Sequence, residues 1–251
     1  MLRVLILGGT TQASALAARL VGDGRYDAIL SLAGRTKNPT LPDLRHRIGG
    51  FGGSAGLANY LHAEAIDVLI DATHPFAEQI SANALIAARE TNTQLAVFTR
   101  PAWKPGAGDK WRDFPDAISA ARSLGKKPRR VFLTIGRQQL AAFEIVPQHD
   151  YLIRCIDAPE PLPALPHSKL LLARGPFTLE DEQALMRNAG IEILVTKNSG
   201  GEATRAKLDA ARALGIEVYM IARPQSPNVP AFETLDAILR FLEIQLHRAM
   251  P

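Results

Sequence analysis

The sequence predicts an α/β protein of two similarly sized domains, each a mostly parallel sheet flanked by helices. Three observations carry this. Short apolar runs rich in Val, Ile and Leu recur along all 251 residues. Stretches with helical spacing lie between them. The pattern then starts again near residue 129. Strands buried on both faces read as continuous apolar runs, and strands alternating with helices imply a parallel sheet.

The elements follow in order. RVLILGG (3–9) is a first strand. Ala13, Leu16, Ala17, Leu20 and Val21 then repeat at i, i+3, i+4, i+7, i+8, one face of a helix. DAILSLAG (27–34), DVLIDATH (67–74) and QLAVFTRP (94–101) are further strands, and HRIGGFGG (46–53) is a weaker one. Leu57 with Leu61, and Ile80 with Ala84 and Ala87, mark two more helices. The second half reads RRVFLTIG (129–136), YLIRCID (151–157), KLLLARGPF (169–177), EILVTKNSGG (192–201) and EVYMIARP (217–224). Thr178 to Asp181 has capping-box spacing, and Gly190 and Gly215 are positioned to end helices. Thr99-Arg100-Pro101 before Asp116-Ala117-Ile118 is echoed by Ala222-Arg223-Pro224 before Asp236-Ala237-Ile238. Each half therefore reads as five strands ending in strand–Arg–Pro–loop–helix. The expected domains are residues 1–125 and 126–251, with the 102–110 segment as the other possible hinge.

Composition narrows the function classes. The chain is 47% hydrophobic and 22% charged, which suits packed cores and not disorder. A net charge of +4 is too small to imply nucleic acid and fits a small anionic ligand. One cysteine, Cys155, excludes an internal disulfide framework. The apolar run at the N-terminus is too short for a signal peptide or membrane span, so a soluble cytoplasmic protein without a membrane partner is expected. No histidine–cysteine–carboxylate cluster has metal-ligand spacing, so no metal is expected. A G-x-S-x-G elbow, a Walker A motif and a Tyr-x-x-x-Lys pair are all missing.

Ligands of doubly wound sheets bind beyond the carboxyl ends of the strands. Seven of those ends carry a cation here: Arg35, Arg100, Arg137, Arg154, Arg174, Lys197 and Arg223. Some of these simply reach water, but their concentration on one rim favours an anionic ligand. LILGGTTQAS (5–14) places Gly8 and Gly9 where a phosphate could approach backbone. Thr10 and Thr11 lead into a helix N-terminus, and Thr10 stands where a dinucleotide fingerprint has its second glycine. After the second strand come Gly34, Arg35 and Thr36 in place of an acidic residue, which suits the 2′-phosphate of NADP(H). Thr73 joins this candidate cofactor set. His74 is a candidate proton donor or cofactor contact; the alternative is a hydrogen bond within its own loop. Lys197, Asn198, Ser199, Gly200 and Gly201 form a candidate anion nest or part of a substrate cradle; the alternative is a plain loop with a helix cap at Ser199.

The stretches LILGGTTQAS, SLAGRT, GGFGG, IDATHPFA, RPAW, FLTIGRQ, ARGPFTLEDE and VTKNSGG together resemble the precorrin-6A reductase family of cobalamin biosynthesis. The resemblance runs from the first strand to about Pro224. It implies two Rossmann-like domains with an interdomain cleft, NADPH as cofactor, and reduction of the polycarboxylate macrocycle precorrin-6A to precorrin-6B. On that reading Arg137, Arg174, Lys197, Asn198, Ser199 and Gly200 are expected on the substrate, and Lys197 and His74 are candidate proton donors, with water or the substrate's own carboxyl groups as the alternatives to a dedicated donor. A non-catalytic NADP(H) sensor and a two-domain nucleotide-sugar transferase are the competing readings.

Overall fold

A computed structural model describes residues 1–34, 42–225 and 227–249. In chain order the first elements are β1 (Leu2–Leu7), α1 (Thr11–Leu20), β2 (Tyr26–Leu32), β3 (Arg45–Ile48) and α2 (Ser54–Ala63). Then come β4 (Val68–Asp71), α3 (Glu78–Thr91), β5 (Gln94–Phe98), β6 (Trp111–Phe114) and α4 (Ala117–Arg122). The second half holds β7 (Arg130–Thr134), a 3₁₀ segment (Arg137–Phe143), β8 (Asp150–Cys155), β9 (Ser168–Leu172) and α5 (Leu179–Asn188). It closes with β10 (Ile193–Lys197), α6 (Ala206–Leu214), β11 (Glu217–Ile221), β12 (Ala231–Phe232) and α7 (Leu235–Ala249).

These form two six-stranded, wholly parallel sheets, β12-β5-β4-β1-β2-β3 and β6-β11-β10-β7-β8-β9. With β12 and β6 each counted as the sixth strand of its sheet, both follow the doubly wound order 3-2-1-4-5-6, although β6 precedes the other strands of its sheet in the chain. The sixth strand of each comes from the other half of the chain. The compact units are accordingly Met1–Pro101 with Pro224–Pro251, and Ala102–Arg223. The expected boundary at 125 falls inside the second unit. Pairing of β6 with β11 carries the chain out of the first unit at Pro101, and pairing of β12 with β5 returns it at Pro224.

Alternation along β1 explains both layers of the first unit. Leu2, Val4 and Ile6 face a core with Ala13, Leu16 and Leu20 of α1 and Ile238, Leu242 and Leu246 of α7. Leu5 and Leu7 face the opposite core with Leu57 and Leu61 of α2 and Ala84, Ala87 and Ala88 of α3. Each such Leu or Ile contributes roughly 1.5–3 kcal/mol by leaving water. In the second unit Phe132, Leu194, Val218 and Met220 pack with Met186, Leu208, Ala211 and Trp103.

The two edge strands β6 and β12 are absent from the sequence reading. WRDF has a half-exposed to exposed face over three of its four residues, and β12 has only two residues. Neither offers a continuous apolar run. The echoed Asp116 and Asp236 are also not equivalent. Asp116 caps α4 by accepting the Ser119 N–H at 2.7 Å, whereas α7 is capped by Thr234, whose hydroxyl oxygen accepts the Ala237 N–H at 3.3 Å.

Candidate active site

In the first sheet the topological switch lies between β1 and β4. There β1 runs into Gly8-Gly9-Thr10-Thr11. A Cβ on Gly8 would stand 2.8 Å from Leu30 Cδ1 of β2, so the small residue lets the turn hug its neighbour. Gly9 has φ +108° and open space where a side chain would be. An L side chain is strained there. Thr10 caps α1: its Oγ1 accepts the Ala13 N–H at 3.2 Å and donates to the Ala72 carbonyl at 2.6 Å. One hydroxyl thus ties the β1 turn to the β4 end. No acidic residue occupies the first turn of α1, so its positive end is not neutralised locally. Thr11 is exposed and donates to Gln12 Oε1 at 3.1 Å.

At the end of β4 the buried Asp71 carboxylate accepts from Thr73 N at 3.0 Å, Thr73 Oγ1 at 2.6 Å and Ser81 Oγ at 2.5 Å. Thr73 therefore directs its hydroxyl proton to Asp71 and shapes the loop beside the β1 turn. His74 is half-buried, and its Nδ1 accepts the Phe76 N–H at 3.2 Å. The loop hydrogen bond weighed for it is present, and it leaves Nε2 as the protonated nitrogen of the neutral ring. Gly34 follows β2 with φ +75°. Arg35 and Thr36 lie outside the described residues.

The sequence reading passed over Arg47 of β3. Arg47 lies opposite Ser31 in the β2–β3 ladder. Its Nη1 donates to Ser31 Oγ at 2.9 Å and the Gly49 carbonyl at 3.0 Å, and its Nη2 donates to the Gly50 carbonyl at 3.0 Å. The guanidinium also stacks 3.8 Å over the Phe51 ring. Arg47 thereby shapes the GGFGG loop; an Arg just before a glycine cluster was the available signal.

The second sheet has its switch between β7 and β10. Thr134 Oγ1 of β7 donates to the Val195 carbonyl of β10 at 3.2 Å. Beyond β7, Gly136 (φ +75°) leads into an exposed Arg137. Beyond β10 comes the 197–201 loop, with Gly200 and Gly201 at φ +69° and +79°. The switch thus brings Gly136-Arg137 and Lys197 to neighbouring strand ends. Arg174 is exposed in the loop after β9. The adjoining Gly175 packs on the β10 side, since a Cβ there would stand 3.2 Å from the Ala203 carbonyl.

Two cations of the expected rim have internal roles. Arg154 is buried in an ion pair between its Nη1 and Glu182 Oε1, and its guanidinium stacks 3.9 Å over Phe177. Arg223 donates from Nε to the Asn198 carbonyl at 2.8 Å and from Nη2 to the Ser199 carbonyl at 3.0 Å. Asn198, expected on the substrate, has its amide engaged by the Trp103 main chain: Oδ1 accepts the Trp103 N–H at 2.8 Å, and Nδ2 donates to the Trp103 carbonyl at 3.0 Å. Burial pushes the Cys155 thiol up, against the pull of Arg137, so the neutral thiol prevails. Among the described residues no group of three or more His, Cys, Asp or Glu could hold a metal, and no helix is long and apolar enough to cross a membrane.

Each unit thus presents a glycine-bearing turn at its switch point, suited to anions. Residues 3–243 match the family model described as Precorrin-6x reductase CbiJ/CobK. The chain is 50% identical over 237 residues to a precorrin-6A reductase of Sinorhizobium sp, covering 94% of this chain and 91% of that one. It is 52% identical over 238 residues to a precorrin-6A reductase of Rhodococcus erythropolis, covering 95% of each. A solved structure, CobK precorrin-6A reductase, superposes with TM-score 0.90 at 46% identity, covering 98% of this chain and 97% of that chain.

Proposed function

The chain belongs to the Precorrin-6x reductase CbiJ/CobK family, and from that premise we propose how its two switch points divide the work of one reduction. It is an oxidoreductase of cobalamin biosynthesis that reduces precorrin-6A with a nicotinamide cofactor. A reductase supersedes the sensor and transferase readings.

The finer assignments are our own. NADPH is the cofactor, held at the first switch point. One observation carries this placement: Gly9, at φ +108° with open space beside it, directly precedes the N-terminus of α1. The residues there fit a pyrophosphate. Backbone N–H groups at the helix start and an acid-free first turn favour an anion. Gly8, Gly9, Thr10 and Thr11 would cradle it, with Thr73 shaping the wall through Asp71. Gly34, Arg35 and Thr36 would take the ribose and its 2′-phosphate. When bound, the cofactor supplies the hydride.

The chain's remaining task is to orient the macrocycle and deliver a proton. Arg137, Arg174 and Lys197 bind its carboxylates, with Ser199 and Gly200 offering main-chain groups of the same loop. Asn198 contributes by fixing that loop. Lys197 Nζ is the proposed proton donor, and His74 Nε2 is the second candidate.

Cofactor and substrate contacts are tested separately. Arg35→Ala is expected to weaken NADPH far more than NADH in a fluorescence titration, because the 2′-phosphate fork is lost; equal weakening would refute NADPH selectivity at that position. Lys197→Ala is expected to raise KM for precorrin-6A or lower kcat while NADPH affinity stays intact.

A further inference from the structure

The 197–201 loop has little stiffness of its own. Two of its five residues are glycines in the left-handed region, Gly200 and Gly201, and glycine loses more freedom on ordering than any other residue. Its shape is imposed by residues distant in sequence, one from near each end of the segment that builds the second unit. Trp103 acts from the front. Its main chain is clasped on both sides by the Asn198 amide, and its indole Nε1 donates to the Gly201 carbonyl at 3.0 Å. The ring is buried among Met186, Leu208 and Met220, with the Lys207 ammonium 5.2 Å from its centre. Arg223 acts from the back, its fork reaching the Asn198 and Ser199 carbonyls. The Asn198, Ser199 and Gly201 carbonyls are thereby pinned, where they would otherwise turn to water.

We propose that Trp103 and Arg223 are positioning residues for the reduction: they hold the 197–201 loop in the conformation that meets the macrocycle, and they act through Lys197. This rests on the reading of that loop as a substrate contact. A buried indole is a rigid peg for such a task, since its ring is fixed by the core and its single N–H by one carbonyl. The Arg223 fork suits two adjacent carbonyls in a way that a lysine point charge does not. Displacing a positioning element by about 1 Å costs on the order of a hundredfold in rate when geometry is critical.

The test uses the full chain with Trp103→Phe, Arg223→Lys and Lys197→Ala, singly and as doubles with Lys197→Ala. Trp103→Phe keeps an aromatic ring in the core and removes the N–H. Arg223→Lys sits at a half-exposed site and keeps the charge, so it carries the test should the other variant fail to fold. Both are expected to lower kcat/KM for precorrin-6A by about tenfold or more, with a raised KM as part of the loss, and to keep NADPH affinity within about twofold of wild type. A purely structural role would lower the active fraction, hence kcat, and leave KM alone. In the doubles, little loss beyond that of Lys197→Ala is expected, because all three act on one contact. Losses that multiply, or folded single variants with wild-type kcat/KM and KM, would overturn the proposal. An unchanged kcat/KM in Lys197→Ala brings down the reading of the loop as a substrate contact. A loss there with none in Trp103→Phe and Arg223→Lys overturns the positioning role alone.

Discussion

Gly56 shows how much one missing Cβ decides. It lies inside α2, where alanine ordinarily stabilises by roughly 0.5–1 kcal/mol relative to glycine. Here a Cβ would stand 1.8 Å from the Phe51 carbonyl oxygen, a backbone atom that cannot swing aside. Gly56→Ala is therefore expected to destabilise the chain by about 1–3 kcal/mol, the usual range for overpacking. Denaturant unfolding checks this, and a raised midpoint would contradict it. His149 supplies a pH-dependent counterpart. It is fully buried, and its Nδ1 accepts the Arg129 N–H at 3.2 Å, so the folded state favours the neutral ring and burial pushes its pKa down. The unfolded chain then binds the extra proton first. The contribution of His149 is intact above the ordinary imidazole value of about 6.5 and is lost as pH falls from there toward the lowered folded value. His149→Gln should flatten the difference in urea midpoint between about pH 7.5 and about pH 5.5. An unchanged slope would assign the acid sensitivity elsewhere.

At the scale of elements, caps and strands behaved as their local chemistry requires. Thr178 Oγ1 accepts the Asp181 N–H at 3.1 Å, as the capping-box spacing anticipates. Gly215 takes φ +65° directly after α6. Arg154 did not follow. Its position near the end of β8 suggested an outward cation, but it fastens β8 to α5 through Glu182. Strand pattern tells where a strand ends; it does not tell which helix supplies a partner 28 residues later. Arg154→Met is expected to cost about 3–5 kcal/mol, because the Glu182 carboxylate is left buried and unpaired. The double variant Arg154→Met with Glu182→Met should recover most of that loss. A single variant no worse than the double would show that the pair is not the source. Thr73 and Asn198 carry the same lesson at smaller size. Both were legible as loop residues at strand ends, and both turn their side chains to neighbouring protein groups, Asp71 and the Trp103 main chain.

At the scale of the whole molecule, the exchange of sixth strands decides which fragments can stand alone. Residues 102–223 hold all six strands of the second sheet and its core. Expressed alone, that segment is expected to unfold cooperatively with native-like circular dichroism. Residues 126–251 lack β6 and carry α7 with no β1 to cover, and should be poorly folded. Comparable cooperativity in the two fragments would sink this division. Sequence by itself determined the α/β class, the parallel strands, the helix caps and the glycine turns at the β1 and β10 ends, together with the ordered motifs of a reductase family. These depend on residues within a few positions of one another, where periodicity, φ preference and capping hydrogen bonds act directly. Tertiary structure alone decided that β6 and β12 cross to the opposite sheets, that Arg154 and Arg223 serve the protein interior, and that Trp103 pins the 197–201 loop. Those outcomes depend on contacts between segments distant in sequence, about a hundred residues apart or more for Trp103 with Gly201 and for Val97 with Ala231. There the choice of partner is set by which buried polar groups can be satisfied together, and no local pattern encodes it.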